Sequence, residues 1–190
     1  MIIIGITGTL GAGKGTVVDY LTEKKGFAHF SVRGYLAEVI KARGEEVNRD
    51  SLTHTANELR ASNTPSFIIE ELFRKAQQSG QNCIIESIRT PGEIDALRSK
   101  EGFVLLAVDA DIYTRYQRIQ QRQSETDNVD FETFKQNEAR EMHSDDPNKQ
   151  NLSECIRRAD FVISNDGSIG QLEEQTEKIL HTILQSKPQP

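Results

Sequence analysis

Nine residues near the amino terminus, GTLGAGKGT (Gly8–Thr16), constrain this chain more than any other stretch. They follow an apolar run, Ile2–Thr7, that reads as a buried strand. They precede Val17, Val18 and Leu21, which are spaced as one face of a helix. Strand, glycine-rich turn, lysine and helix in that order make a phosphate cradle. Glycines let successive backbone N–H groups point inward around anionic oxygens. The helix N-terminus adds positive potential, and Lys14 brings a compact, mobile charge. The strict pattern is G-x-x-x-x-G-K-[ST]. Gly8, Gly13 and Lys14 satisfy it, but the slot for a magnesium-contacting hydroxyl holds Gly15, and a threonine arrives one place late at Thr16. The plainer alternative is a glycine-rich turn with a surface lysine; the strand-to-helix context argues against it.

Four further apolar runs read as strands: Phe27–Phe30, Cys83–Glu86, Phe103–Val108 and Phe161–Ile163. Most are continuous in apolar residues, as in a parallel sheet covered on both faces. Helical faces lie between them: Leu52, Ala56 and Leu59; then Phe67, Ile68, Leu72, Phe73 and Ala76; and finally Ile169, Leu172, Ile179 and Ile183. TPGE (Thr90–Glu93) is a capping box with proline in the first turn, and SIGQ (Ser168–Gln171) caps the last helix in the same way. Alternating strands and helices predict a three-layer α/β fold of the P-loop NTPase type, with a five-stranded parallel sheet. All 190 residues are expected to form one domain, with helical insertions over 33–78 (acceptor-binding) and 123–158 (lid-like).

The formal charge of −6 argues against a broad nucleic-acid footprint, though not against a small basic site. Cys83 and Cys155 have no metal or redox spacing, and the four histidines are scattered; both fit a reduced, cytoplasmic protein. MIIIGIT lacks a basic leader and is too short to span a bilayer, so no membrane association is expected. The tail SKPQP reads as a frayed end, and no internal repeat is visible.

The form G-x-x-G-x-G-K-G-T is that of adenylate kinases, and Gly8, Gly11, Gly13, Lys14, Gly15 and Thr16 reproduce it. The chain thus resembles the small nucleoside monophosphate kinases, with ATP as donor held by Gly11, Ala12, Gly13, Lys14, Gly15 and Thr16. CIIESIRTPGE is similar to the stretch in which that family places a magnesium-side acid at a strand end and an arginine on the acceptor phosphate. The matching residues are Glu86 and Arg89, one residue closer together than in adenylate kinases and with Glu for Asp. Asp109, ending another strand, competes for the metal-side role; Asp111 reads as a helix cap.

In DIYTRYQRIQQR, Arg115, Arg118 and Arg122 share a stripe beside Ile112, Tyr116 and Ile119. A solvated helix face is the bland reading of such a stripe. The resemblance instead puts Arg118 and Arg122 at a lid hinge, on the donor base and phosphates, with Arg140 as a lid arginine. It gives Arg33 and Arg60 to the acceptor, and Asn165, Asp166 and Gly167 to the donor adenine through backbone groups. The family's acid near the start of the acceptor flap is replaced here by Gly34, which leaves the acceptor's identity open. Nearly end to end, the chain is similar to a group of short archaeal and bacterial proteins that also resemble dephospho-CoA kinases.

The expected activity is transfer of the γ-phosphoryl group of ATP to a nucleoside or deoxynucleoside monophosphate. Lys14, Arg118, Arg122, Glu86 and Arg140 are the catalytic candidates. Mg2+ is expected chiefly on phosphate oxygens and waters, with Thr16, Glu86 and Asp109 close by. The alternatives are phosphorylation of the 3′-hydroxyl of dephospho-CoA and a nucleotide-dependent switch or assembly ATPase. Monomer and homodimer are equally compatible with the sequence.

Overall fold

The computed structural model describes residues 1–122, 129–145 and 149–185. Strands β1 (Ile3–Gly8), β2 (Ala28–Ser31), β3 (Cys83–Glu86), β4 (Phe103–Asp109) and β5 (Phe161–Ser164) form one all-parallel sheet in the order β2-β3-β1-β4-β5. β1 reaches one residue beyond its apolar run because Gly8 still pairs with Val108 of β4. Each strand is followed, directly or after further helices, by one that returns across a face: α1 (Lys14–Lys25) after β1, and α2 (Val32–Ala42), α3 (Arg49–Ser62) and α4 (Phe67–Ser79) between β2 and β3. Then come α5 (Pro91–Arg98) before β4; α6 (Ile112–Arg122), α7 (Phe131–Met142) and α8 (Leu152–Arg157) before β5; and α9 (Ile169–Gln185) at the end.

Alternation along β1 divides the core. Ile2, Ile4 and Ile6 pack with Val17, Leu21, Leu172 and Ile183 of α1 and α9. Ile3 faces the other way, toward Leu72 and Phe73 of α4, Leu97 of α5 and Cys155 of α8. Each such buried aliphatic side chain stabilises the fold by roughly 1.5–3 kcal/mol. On the second face Gly5 admits Ile88 and Phe103 so closely that an added Cβ would lie 2.5 Å from the Ile88 side chain.

The two insertions are not uniformly peripheral. α4 and α8 cover the sheet, whereas α2 and α3 share a small separate core with the start of α4, made of Leu36, Ala56 and Ile68. Of the lid-like segment, residues 123–128 and 146–148 lie outside the described residues, as does the tail 186–190. Both capping boxes form: Thr90 with Glu93, and Ser168 with Gln171. Asp111 caps α6 through the amides of Tyr113 and Thr114. Among the described residues no helix is long and apolar enough to cross a membrane.

The carboxyl ends of all five strands meet at one edge. β1 is central, with β3 and β4 on either side, so Glu86 and Asp109 flank the loop that leaves Gly8. In open parallel sheets the ligand crevice lies outside this edge.

Candidate functional site

The loop is held in shape before any anion arrives. Gly13, the residue before α1, has φ 98°, a left-handed conformation, and an added Cβ would stand 2.2 Å from Asn165 Nδ2. That buried amide donates to Ala12 O at 2.8 Å, so the end of β5 pins the loop. On the other flank Thr9 Oγ1 donates to Asp109 Oδ1 at 2.6 Å. Gly15 and Thr16 lie in the first turn of α1, where N–H groups have no intrahelical acceptor. An added Cβ at Gly15 would meet nothing within 4 Å, which leaves open space beside those amides. The geometry fits a polyphosphate.

Lys14 is turned onto this loop, donating to Gly8 O at 2.9 Å and Thr9 O at 2.7 Å. Burial, and then the nearby Arg89, pull its pKa down to about 8; Glu86 and Glu141 act in the opposite direction. Glu86 accepts from His29 Nε2 at 3.0 Å, and that contact holds its carboxyl below the usual range despite partial burial. An acid ionised this readily suits a cation or its water shell. Asp109 instead spends Oδ1 on Thr9 and on the amide of Ala110, at 2.9 Å. Among the described residues no three carboxylate, imidazole or thiol groups cluster as a ready-made metal cage.

The arginine stripe on α6 splits. Arg115 is buried, 5% exposed, with its guanidinium against both carboxylate oxygens of Glu138 on α7. It also donates to Ala110 O at 2.7 Å and reaches Leu10 O in the glycine loop. Arg118 carries a buried Nη1 with no hydrogen-bond partner among the described residues, an orphan donor of the kind an anionic ligand satisfies. Arg122, the last residue of α6, is exposed. Beyond β5, Asp166 accepts from the amide of Asp111 at 2.6 Å and from Ser164 Oγ. The backbone N–H of Asn165 is already given to Asp109 O. The side chains of Asn165 and Asp166 thus bond to the protein itself, and Gly167 is exposed.

A cavity of about 730 Å³ opens beyond the end of β3, and five separate segments bring Arg33, Arg60, Arg89, Arg140 and Lys149 to its wall. Val32, Leu36, Leu52 and Ala56, from α2 and α3, give it an apolar wall. Arg89 leans on Gln150 at 3.1 Å. Beneath it Glu93 is 4% exposed and accepts from the amides of Arg89 and Thr90; burial raises its pKa. Ser87, between Glu86 and this cavity, has φ 77°, which a non-glycine residue adopts only under constraint.

The structure thus gathers Lys14, Glu86 and Arg89 at one point, and Arg33, Arg60, Arg89 and Arg140 around one cavity. Sequence reasoning missed the Arg115–Glu138 pair, the Asn165 clamp, Glu141, which lies within electrostatic reach of Lys14, and the His29–Glu86 contact. Register carried one signal: β2 pairs with β3, so His29 and Glu86 end up on adjacent strands.

A family model described as an AAA domain matches residues 4–144. A UPF0200 protein of Methanothermobacter thermautotrophicus is 29% identical over 187 residues, covering 97% of this chain and 92% of that protein. One from Pyrobaculum aerophilum is 31% identical over 182 residues, covering 94% and 96%. Among solved structures, TT1252 from Thermus thermophilus aligns with TM-score 0.63 at 21% identity, covering 99% of this chain and 98% of that one. Shikimate kinase from Bacteroides thetaiotaomicron gives 0.59 at 12%, covering 95% and 98%. Dephospho-CoA kinase from Campylobacter jejuni gives 0.50 at 15%, covering 95% and 96%. At these identities the structural likeness shows a kinase-like P-loop fold, and nothing finer. Because the AAA-domain match spans most of the chain and the archaeal relatives align nearly end to end, this chain belongs to the AAA-domain family and to the UPF0200 proteins.

Proposed function

We propose that the protein is an ATP-dependent kinase that phosphorylates the phosphate of a nucleoside or deoxynucleoside monophosphate, with Mg2+ on the donor. The observation that supports this reading is that Arg89, which lines the arginine-rich cavity, lies within electrostatic reach of Lys14 on the glycine loop, as does Glu86. A donor phosphate on the loop and an acceptor phosphate on Arg89 would then be neighbours.

In this reading an acceptor phosphate oxygen attacks the γ-phosphorus, the bond from that phosphorus to the β,γ-bridging oxygen breaks, and ADP leaves. Such transfer is largely positioning and neutralisation of spreading charge. The amides of Gly13 to Thr16 and Lys14 hold the donor. Arg118, Arg122 and Arg140 balance charge on the moving group. Glu86, with Thr16 and Asp109, would hold Mg2+ largely through water, and the ion would supply further neutralisation of phosphate charge. Arg89, with Arg33 and Arg60, holds the acceptor.

A hydroxyl acceptor, as in dephospho-CoA, asks for a general base. Glu86 is a poor one, because His29 keeps it acidic, and Asp109 is tied to Thr9. Both facts favour a phosphate acceptor. A coupled assay of ADP release across all common ribo- and deoxyribonucleoside monophosphates, with dephospho-CoA alongside, tests the reading. Turnover is expected with at least one monophosphate. Turnover with dephospho-CoA alone would move the assignment to the hydroxyl kinase, and ADP release independent of every acceptor would leave an ATPase.

A further inference from the structure

Two acids flank the glycine loop, Glu86 at the end of β3 and Asp109 at the end of β4. Each commits one carboxylate oxygen to a donor of the protein. Asp109 Oδ1 accepts from Thr9 Oγ1 and from the amide of Ala110. Glu86 Oε2 accepts from His29 Nε2 at 3.0 Å. Among the described residues the second oxygen of each acid has no hydrogen-bond partner.

The two are held by different means. Asp109 is short, and its donors are its own neighbour in the chain and the loop that it flanks. Glu86 has a further methylene and one more rotatable bond, so more freedom must be removed to fix it. Its backbone is already fixed. Glu86 pairs with Ile6 and Ser31, the amide of Ile88 donates to Ile6 O at 3.2 Å, and Ser87 between them has φ 77°. What remains free is the side chain, and His29 is the group that restrains it. The carboxyl is held ionised and can only accept, so Nε2 carries the proton.

The sheet dictates this meeting. Side chains two apart on a strand share a face. His29 pairs with Ile84, two residues before Glu86, so imidazole and carboxylate rise from the same face. On that face Ile84 and Ile6 share a core with Val17, Val18 and Leu21 of α1, the helix that Lys14 opens. As an ion pair for stability alone the contact would contribute little, because its side chains are 34% and 25% exposed.

We propose that His29 is a positioning residue: it restrains Glu86 through Oε2, leaves Oε1 for the ligand, and thereby sets how strongly the protein prefers a magnesium-bound nucleotide to the bare one. This rests on the reading of Glu86 as the magnesium-side acid. His29 acts only through Glu86.

Calorimetry of ADP binding, with Mg2+ and with EDTA, tests this on the full chain and needs no acceptor. Wild type should bind the magnesium complex more tightly. His29→Ala should cut that preference about tenfold, as for other groups that orient a metal-side ligand, and leave the affinity for metal-free ADP unchanged. His29→Gln, whose amide can donate from a similar place, should restore most of it. Glu86→Gln should also lose the preference, and His29→Ala added to it should change nothing more. If Glu86→Gln loses the preference and His29→Ala keeps it, the inference is overturned while the role of Glu86 stands. An equal loss for both forms of ADP in His29→Ala shows mere support of the fold and overturns it too. A preference that is absent in wild type, or that survives Glu86→Gln, removes the metal-side reading of Glu86 and the inference together.

Discussion

The two halves of the site are built on opposite plans. On the donor side nearly every group has a partner. Lys14 is bonded to two loop carbonyls, Asn165 pins Ala12, Asp109 holds Thr9, and Arg115 joins the loop to Glu138 on α7. On the acceptor side a cavity of about 730 Å³ is lined by Arg33, Arg60, Arg89 and Arg140, none of which has a carboxylate within ion-pair distance among the described residues. The first arrangement pre-forms a cradle whose ligand is common to many enzymes. The second leaves charge to be satisfied by the ligand itself, and so makes the acceptor the source of specificity. Preformed donors stabilise transferred charge without reorganisation; a closing lid and flap are where selectivity enters.

The comparison breaks most readily at Lys14. Lys14→Met is expected to lower turnover by about 10³- to 10⁴-fold, some 4–5.5 kcal/mol of transition-state stabilisation. The far-ultraviolet circular dichroism should not change, because the side chain touches only loop carbonyls. A tenfold or smaller loss, measured by ADP release with the preferred acceptor, would mean that the cradle is not where transfer happens.

Glu138→Ala asks whether the donor side is held as tightly as it looks. It leaves Arg115 in the interior with Ala110 O and Leu10 O as acceptors and with Asp109 Oδ1 3.7 Å from its Nε. Removing one partner of a buried pair costs about 3–5 kcal/mol. A value near 3 kcal/mol is expected here, since those two carbonyls remain. Urea unfolding measures it, and a change below 1 kcal/mol would reduce the pair to an incidental contact.

Arg89→Ala separates the two sides. The kcat/KM for the acceptor should fall about 100-fold, mostly in KM, as expected when ground-state and transition-state binding are lost together. The KM for ATP should stay within about twofold of wild type, an estimate that follows from Arg89 making no loop contact. Equal losses in both substrates would show that the halves are not independent.

Much of this division was already written in the chain, and the part that was not has a physical reason. The donor loop is contiguous, and the apolar runs around it are strands because both faces of a parallel sheet are buried. A glycine, a lysine and a helix start in sequence can only be neighbours in space. The acceptor cavity draws on positions 33, 60, 89 and 140, which only the sheet order and the packing of α2, α3 and α7 bring together. Arg115 was hidden for another reason. Three arginines on one helical stripe read alike, and only the arrival of Glu138 on a distant helix makes burial of one of them tolerable. Asn165 reads as a turn residue until Gly13 is seen beneath its amide.

The donor side also predicts a pH dependence. In the free protein Lys14 has a pKa near 8, lowered by burial and by Arg89, whereas bound phosphate favours the charged form and raises it. Below pH 8 the lysine is already protonated and affinity for ATP should be level. As pH rises through 8, binding must take up a proton, and affinity should fall by about tenfold per pH unit at most. Calorimetry in buffers of different ionisation enthalpy at pH 9 should show close to one proton taken up. In Arg89→Ala the onset should move to higher pH, because a neighbouring positive charge is gone. A flat profile between pH 7 and 9.5 would mean that Lys14 is charged throughout.

The mildest change reaches the residue that departs from the strict loop pattern. Gly15 has open space where its side chain would be, so Gly15→Ser fits without displacing anything. Replacing glycine within a helix should stabilise the fold by a few tenths of a kcal/mol to about 1 kcal/mol. In the proposed enzyme the new hydroxyl would stand in the slot that other phosphate loops use for magnesium. The Mg2+ concentration for half-maximal rate should then fall a few-fold, an estimate based on one added oxygen ligand, while acceptor kinetics stay constant. A gain in stability without any shift in magnesium dependence would place that open space away from the metal. The ion would then depend on phosphate oxygens and on waters ordered by Glu86, and the irregular glycine would serve only to let the phosphates approach the amides of α1.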